Sequence, residues 1–133
     1  MEQNERDAKV ARYNASPFNA AHGFVASLPE DGFGIVEVEL TEEHRNVWGI
    51  PHGGILFAMA DSASGLAASS VCGGHIVTSG SSVNFIFASQ SAQHLRAEAR
   101  VIKAGHALAV VQTEVYDQDG NHLMTGQFNM FHG

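Results

Sequence analysis

The residues best able to do chemistry in this sequence lie close together, between Asn46 and Asp61. Gly53 and Gly54 stand at the start of a segment predicted to be helical, although glycine costs a helix about 1 kcal/mol relative to alanine. Their small size would let another molecule approach the backbone. The first amides of a helix have no internal partner and carry partial positive charge, so they can bind an anion or a carbonyl oxygen that becomes one. A tight connection from loop to helix would also explain the two glycines.

Asp61 is the second chemical group, and it follows His52 by nine residues. In a helix this spacing separates the two by about 13 Å along the axis. A single chain could not easily bring Asp61 to a carbonyl held at its own helix start, so two chains would have to share such a site. The neighbours Met59, Ala60 and Ala63 predict a desolvated carboxylate with a raised pKa, suited to a general base or a nucleophile. Alternatively, Asp61 lies at the exposed end of a buried helix.

The elements that must position these groups follow from hydrophobic periodicity. An apolar helix that small residues complete on all sides is predicted over 55–70, and an amphipathic helix over 3–13. Residues 22–29 are ambiguous, and residues 42–51 are predicted to form a loop. Alternating or apolar runs predict strands at 33–41, 76–88, 94–104, 107–117 and 121–131, the last four as a meander. The predicted fold class is α+β, a curled and mainly antiparallel sheet of five or six strands around one helix.

Composition excludes several classes of function. The chain has 133 residues, 7 basic and 14 acidic residues and a net charge of −7, so neither nucleic acid nor an anionic membrane surface is an expected partner. The single cysteine, Cys72, excludes a disulfide framework, and the eight histidines lack metal-binding spacing. No metal and no cofactor are expected. We expect one domain over 1–133, with residues 1–20 as an N-terminal helix and lead-in, and a cytoplasmic location because no signal or membrane segment is present.

Charge is also unevenly distributed along the chain. Between Arg45 and Arg96 the only formal charge is Asp61. So long a charge-poor stretch indicates core, subunit interface or both, and favours a homo-oligomer. Neither the Gly-x-Ser-x-Gly motif of serine hydrolases nor a glycine-rich phosphate loop is present.

The pattern Asn46-x-x-Gly49-x-x-His52-Gly53-Gly54, followed by Asp61, resembles that of the hotdog-fold acyl-CoA thioesterases. Within them it is most similar to the phenylacetate-degradation (PaaI-like) branch, related to 4-hydroxybenzoyl-CoA thioesterase. The resemblance covers about residues 33–131, and it includes the later Lys103-Ala104-Gly105 and the turn at 117–120.

The resemblance implies a site shared by two chains whose sheets join side by side, with two such dimers forming a homotetramer. The Gly53 N–H would be the oxyanion donor, Asn46 would orient the thioester or the water, and His52 would support the carbonyl site. Asp61 of the facing chain would activate water or attack directly. Ser79 would help to position the water.

The resemblance also implies where substrate binds. The phosphates of coenzyme A would bind near a strand turn, where the candidates are Arg100, Lys103 and His106; relatives often carry arginine at the last of these positions. Arg100 and Lys103 could equally be a solvated strand face. Gly54 is a further expected substrate-binding residue. Aromatic and apolar side chains would line a pocket for an aryl group or a medium chain, although Phe57 and Met59 could equally be core: Trp48, Phe57, Met59, Phe85 and Phe87.

Three functions therefore compete. The first is hydrolysis of an acyl-CoA by a homo-oligomer. The second is an enoyl-thioester hydratase or dehydratase of the same fold, whose histidine loop pattern the sequence matches only at Pro51. The third is a non-catalytic acyl-CoA-binding module in which His52 and Asp61 are structural.

Overall fold

A computed structural model describes residues 1–133, and its elements resemble the predicted ones in kind and order. No helix is both long enough and apolar enough to cross a lipid bilayer. One 3₁₀ turn, Glu42–His44, interrupts the loop before the long helix. The helices are α1 (Gln3–Ala15), α2 (Pro17–Ala21) and α3 (Gly53–Ser69), and the strands are β1 (Val25–Glu30), β2 (Phe33–Glu39), β3 (Ile76–Phe85), β4 (His94–Ala104), β5 (Leu108–Asp117) and β6 (His122–His132).

The six strands form one sheet in the order β1-β2-β4-β5-β6-β3, and every neighbouring pair is antiparallel. With α3 packed against the sheet, this confirms the predicted α+β hotdog fold. The predicted four-strand meander is wrong for β3, which pairs with β6 at the edge. Because β4 pairs with β2 on one side and with β5 on the other, it has no free edge for β3.

Helix α3 is enclosed by the sheet, as its composition predicts, which is apolar or small at every position except Asp61. Met59, Ala63 and Leu66 are fully buried. The approach between helix and sheet is so close at Gly34 in β2 that a Cβ there would lie 2.5 Å from the Ala63 carbonyl oxygen. A side chain larger than hydrogen would push β2 away from α3.

The segment 22–29, which was ambiguous in the sequence, contributes the edge strand β1. The N-terminal helices cover its outer edge: the Phe24 N–H donates to the Asn19 carbonyl at 2.9 Å, and the Ala26 N–H donates to Asn14 Oδ1 at 2.7 Å. The predicted first helix extends to Ala15, and Pro17 then occupies the first turn of α2, where its missing N–H costs nothing. These outward N–H groups would be free to pair with another strand in most edge strands, but here they are already hydrogen-bonded.

The opposite edge of the sheet, β3, is open. Its sequence from Ile76 to Phe85 contains no charged residue and no proline, the usual devices that block an edge. Most of its residues are exposed, and Val77 retains 56% of its accessible surface. The strand ends at Phe85 rather than at residue 88 as predicted.

Candidate active site

The loop before α3 is held by its own side chains. Asn46 Oδ1 accepts hydrogen bonds from the N–H groups of Trp48 at 2.9 Å and Ile50 at 3.3 Å. Gly49 has φ 77°, a conformation that a side chain would strain. Arg45 extends to the Ala92 carbonyl at 3.0 Å and fastens the loop to the connection before β4. The Asn46 side-chain nitrogen has no acceptor in the chain, so it is free to donate to a ligand.

His44 anchors this loop from below, a role that sequence analysis did not assign. Its ring is 5% exposed. Nδ1 accepts from the Thr41 N–H at 2.9 Å, which leaves Nε2 as the donor to the His22 carbonyl at 2.8 Å. The backbone carbonyl of His44 accepts from the His52 N–H at 2.8 Å. The start of α3 is thereby held by a buried ring with both nitrogens satisfied.

The first turn of α3 leaves one amide open. His52 is the N-cap, and its Nδ1 accepts from the Gly54 N–H at 2.8 Å. A Cβ at Gly54 would lie 2.9 Å from that nitrogen, so the ring could not fold back over a larger residue. The Gly53 N–H has no acceptor in the chain. The cap therefore occupies the Gly54 amide and leaves the Gly53 amide as the available donor.

Gly53, which carries this open amide, lines a pocket of about 320 Å³. The Phe85 ring lies 3.5 Å from the position of a Cβ on Gly53, so it forms the wall beside the amide. Seven of the eleven lining residues are apolar, which suits an acyl group or the pantetheine arm of coenzyme A. The lining residues are Asn46, Ile50, Pro51, Gly53, Leu56, Phe85, Ile86, Phe87, Ala88, Ser89 and Leu123.

Of the five residues expected to form the acyl pocket, Phe85 and Phe87 line this one. Trp48 lies outside it in the single chain and is 76% exposed. Phe57 packs on Phe128 with ring centroids 5.3 Å apart, and Met59 is fully buried, so both belong to the core.

Asp61 is not part of the pocket at the start of its own helix. It is eight residues beyond Gly53 in α3, a rise of about 12 Å. It is half-buried, and its Oδ1 accepts a short hydrogen bond from the hydroxyl of Thr78 in β3. Ser79, the residue expected beside Asp61, is at a bulge in the β3–β6 ladder and donates to the Asn129 carbonyl at 3.2 Å. The bulge brings Thr78 to the carboxylate instead.

Tyr13 of α1 is a further polar group near Asp61, and sequence analysis did not identify it. Burial raises the pKa of the Tyr13 hydroxyl, and the nearby Asp61 carboxylate raises it further. A hydrogen bond with Ser69 and the charge of Arg12 act in the opposite direction. The phenol therefore stays protonated at neutral pH and remains a donor.

The cationic candidates for binding phosphate are at the β4–β5 end of the sheet. Arg100 pairs with Glu30 at 3.2 Å and its guanidinium lies 3.8 Å above the Phe33 ring. Lys103 and His106 are exposed and have no hydrogen-bonding partner in the chain. The β4–β5 turn is close to the start of β3. The Gly53 pocket is close to the other end of β3, at Phe85. No group of three or more histidine, cysteine, aspartate or glutamate side chains could hold a metal ion.

The family model of the Thioesterase superfamily matches residues 49–123, so the chain belongs to that superfamily, as the sequence pattern predicted. A curated Archaeoglobus fulgidus protein with a provisional esterase name is 33% identical over 86 residues, which cover 65% of this chain and 55% of that protein. The chain thus spans about half the length of this relative.

Solved structures resemble the chain over most of its length. The PaaI protein of the E. coli phenylacetic acid degradation operon has a TM-score of 0.86 at 24% identity, covering 97% of this chain and 91% of that one, and supports the fold. A conserved Pseudomonas aeruginosa protein has a TM-score of 0.84 at 31% identity, covering 92% and 98%. A Streptococcus mutans protein bound to acetyl CoA has a TM-score of 0.76 at 30% identity, covering 83% and 88%.

Proposed function

We propose that the protein is an acyl-CoA thioesterase that hydrolyses an aryl- or medium-chain acyl-CoA to the free acid and coenzyme A. The observation that carries the proposal is the open amide of Gly53, a residue that lines an apolar pocket at the start of an enclosed helix. Membership of the Thioesterase superfamily and the acetyl CoA bound to the Streptococcus mutans relative support the same chemistry.

The Gly53 N–H would donate to the thioester carbonyl and bind it more tightly as negative charge develops on the oxygen. Asn46 lines the same pocket, and its free side-chain nitrogen would orient the thioester or the water. His52 contributes by holding the Gly54 amide, which keeps the first turn of the helix in shape.

Asp61 would supply the second half of the reaction. As a general base, it takes a proton from water while the water oxygen forms a bond to the carbonyl carbon. The tetrahedral intermediate then expels the sulfur of coenzyme A, which leaves as the thiol once it receives that proton. As a nucleophile, Asp61 would instead attack the carbonyl carbon and expel coenzyme A as the thiolate, which takes up a proton from water; water then hydrolyses the resulting anhydride to the free acid and the regenerated carboxylate. Thr78 donates to the carboxylate and fixes its orientation in either case.

Two chains are needed because Gly53 and Asp61 are separated in one chain. If two copies of β3 paired antiparallel about a two-fold axis at the middle of the strand, Phe85 of one chain would meet Val77 of its partner. Phe85 packs beside Gly53, and Val77 precedes the Thr78 that binds Asp61. The pairing would therefore bring each Gly53 towards the Asp61 of the partner subunit. The homotetramer expected from the sequence stays a prediction.

The test measures thiol release over a panel of aryl- and alkyl-CoA thioesters with three proteins. Asp61→Asn removes the base and should lower kcat by about 10²–10⁴. Asp119→Asn, the matched control, makes the same charge change in an exposed turn and should not alter kcat. Unchanged turnover in Asp61→Asn would reject the carboxylate. Water addition to a crotonyl thioester without thiol release would favour a hydratase, and ligand binding without hydrolysis would favour a binding module.

A further inference from the structure

A second pocket of about 410 Å³ lies between α1, α3 and the start of β3, and we call it the α1 pocket. It is distinct from the Gly53 pocket and shares no lining residue with it. Its lining is mainly polar, unlike that of the Gly53 pocket. The lining residues are Lys9, Arg12, Tyr13, Ser16, Asn19, Ser62, Ser69, Gly74, His75, Ile76 and Val77.

The charges around the α1 pocket are opposite to those of the protein as a whole. The chain has 14 acidic residues, yet none of them lines this pocket, whereas Lys9 and Arg12 do. Of the seven lysine and arginine side chains, four form ion pairs with carboxylates. Lys9 and Arg12 are two of the three that do not.

The donors of the pocket are arranged on one face of a helix. Lys9, Arg12 and Tyr13 have the i, i+3, i+4 spacing that aligns side chains along α1, and Ser16 is the residue that ends this helix. The Ser16 hydroxyl, Lys9 and Arg12 have no hydrogen-bonding partner in the chain. Two cations one helical turn apart repel each other, and an anion bound between them lowers this electrostatic free energy. The arrangement therefore fits a phosphate or a carboxylate.

The α1 pocket is also within reach of the proposed reaction centre. Ser62, the residue after Asp61, is in its lining, and Val77 precedes the Thr78 that binds Asp61. A substrate whose carbonyl lies beside this Asp61 can thus extend one of its ends into the pocket. The substrate extends from its carbonyl in two directions, towards the acyl group and towards coenzyme A, and either part could carry the anion.

We propose that the α1 pocket is an anion subsite that binds a phosphate or carboxylate group of the thioester substrate through Lys9 and Arg12. This inference rests on the proposed thioesterase function. In this proposal the positively charged side chains that bind the substrate belong to α1. Arg100 is not among them, because its guanidinium already pairs with Glu30.

The test is a comparison of KM and kcat in the double variant Lys9→Gln/Arg12→Gln. Its substrates are an acyl-CoA, the same acyl group on uncharged N-acetylcysteamine, and a glutaryl thioester of N-acetylcysteamine. Loss of two charge-assisted contacts should raise KM about tenfold or more for substrates that carry the bound anion, with kcat retained. Arg96→Gln is a control for an effect of net charge alone: it removes a positive charge from the sheet surface away from the pocket and should leave KM unchanged on all three substrates.

The substrate arms identify the source of the anion. A rise in KM for acyl-CoA alone indicates the phosphates, and a rise for the glutaryl thioester relative to the uncharged one indicates a carboxylate on the acyl group. Equal KM changes on all three substrates, or none, would overturn the subsite. If the protein hydrolyses no thioester, calorimetry with adenosine 3′,5′-bisphosphate and with glutarate decides. Binding that the double variant loses supports the subsite, whereas no binding, or equal binding to both proteins, refutes it.

Discussion

Proline at position 53 would remove the proposed oxyanion donor without breaking a hydrogen bond of the fold. Gly53 is the first residue of α3, and its N–H has no acceptor in the chain, so the helix loses no hydrogen bond. Proline is favoured at this position of a helix. The preceding His52 has φ −65° and ψ 136°, the extended conformation that a residue before proline requires. We therefore expect Gly53→Pro to fold like the wild type.

Its activity should fall sharply. Removing one oxyanion-hole donor typically costs about 10²–10³ in kcat, and the proline ring would also occupy the space where the carbonyl oxygen binds. Gly53→Ala is the matched control, because it keeps the N–H and its Cβ would contact the Phe85 ring at an ordinary 3.5 Å. Thiol release should be lost in the proline variant and largely retained in the alanine variant, with similar melting temperatures for both.

Mixing the subunits extends this prediction to the shared site. Gly53→Pro chains retain Asp61, and Asp61→Asn chains retain the Gly53 amide. Co-expressed in equal amounts, random pairing makes half of the dimers mixed, each with one intact site of two, so about a quarter of wild-type activity should return. Near-wild-type kcat in Gly53→Pro would refute the amide as donor, and no recovery on mixing would refute the two-chain site.

Three further predictions concern assembly and stability. Ser81→Lys lies at the centre of the open β3 edge, where a lysine blocks strand pairing. It should give monomers by light scattering and little thiol release. An oligomer of unchanged mass would contradict this. Gly34→Ala should lower the free energy of unfolding in urea by about 1–3 kcal/mol, since β2 must move from α3. Burial opposes ionisation of Asp117, but hydrogen bonds from its neighbours outweigh it and lower its pKa below the usual 3.8. The stability this carboxylate adds is present above that value and is lost as pH falls through the lower pKa of the folded state, so Asp117→Asn should flatten the acid limb of a stability–pH curve.

The central helix and its glycine start were predictable because their signals are local. An apolar or small residue at every position of α3 except Asp61 predicts enclosure, whatever the surrounding topology. The Gly53-Gly54 pair predicts a close approach to the backbone, although only the structure identifies which of the two amides His52 occupies.

The remaining features depend on tertiary partners. β1 lacks a clear alternating pattern and contains Pro29, so pairing with β2 and the cover of α1 decide its conformation. Likewise, the pattern of β3 predicts a strand but not its neighbour. The bulge at Ser79 shifts the alternation and brings Thr78 to Asp61, which a strict period of two does not predict. Tyr13 escaped notice because α1 reads as a mostly solvated helix.

One edge of the sheet is covered and the other is open, and this difference limits how many chains can associate by strand pairing. The Asn14 side chain accepts from the outward Ala26 N–H, and the Asn19 carbonyl accepts from the Phe24 N–H, so these groups at the β1 edge cannot pair with an incoming strand. A chain with one open sheet edge can pair through its backbone with one partner only, because two copies joined at β3 have no open edge left for a third strand. Extension of the sheet at the β1 edge is thereby opposed by the Asn14 side chain and the Asn19 backbone carbonyl.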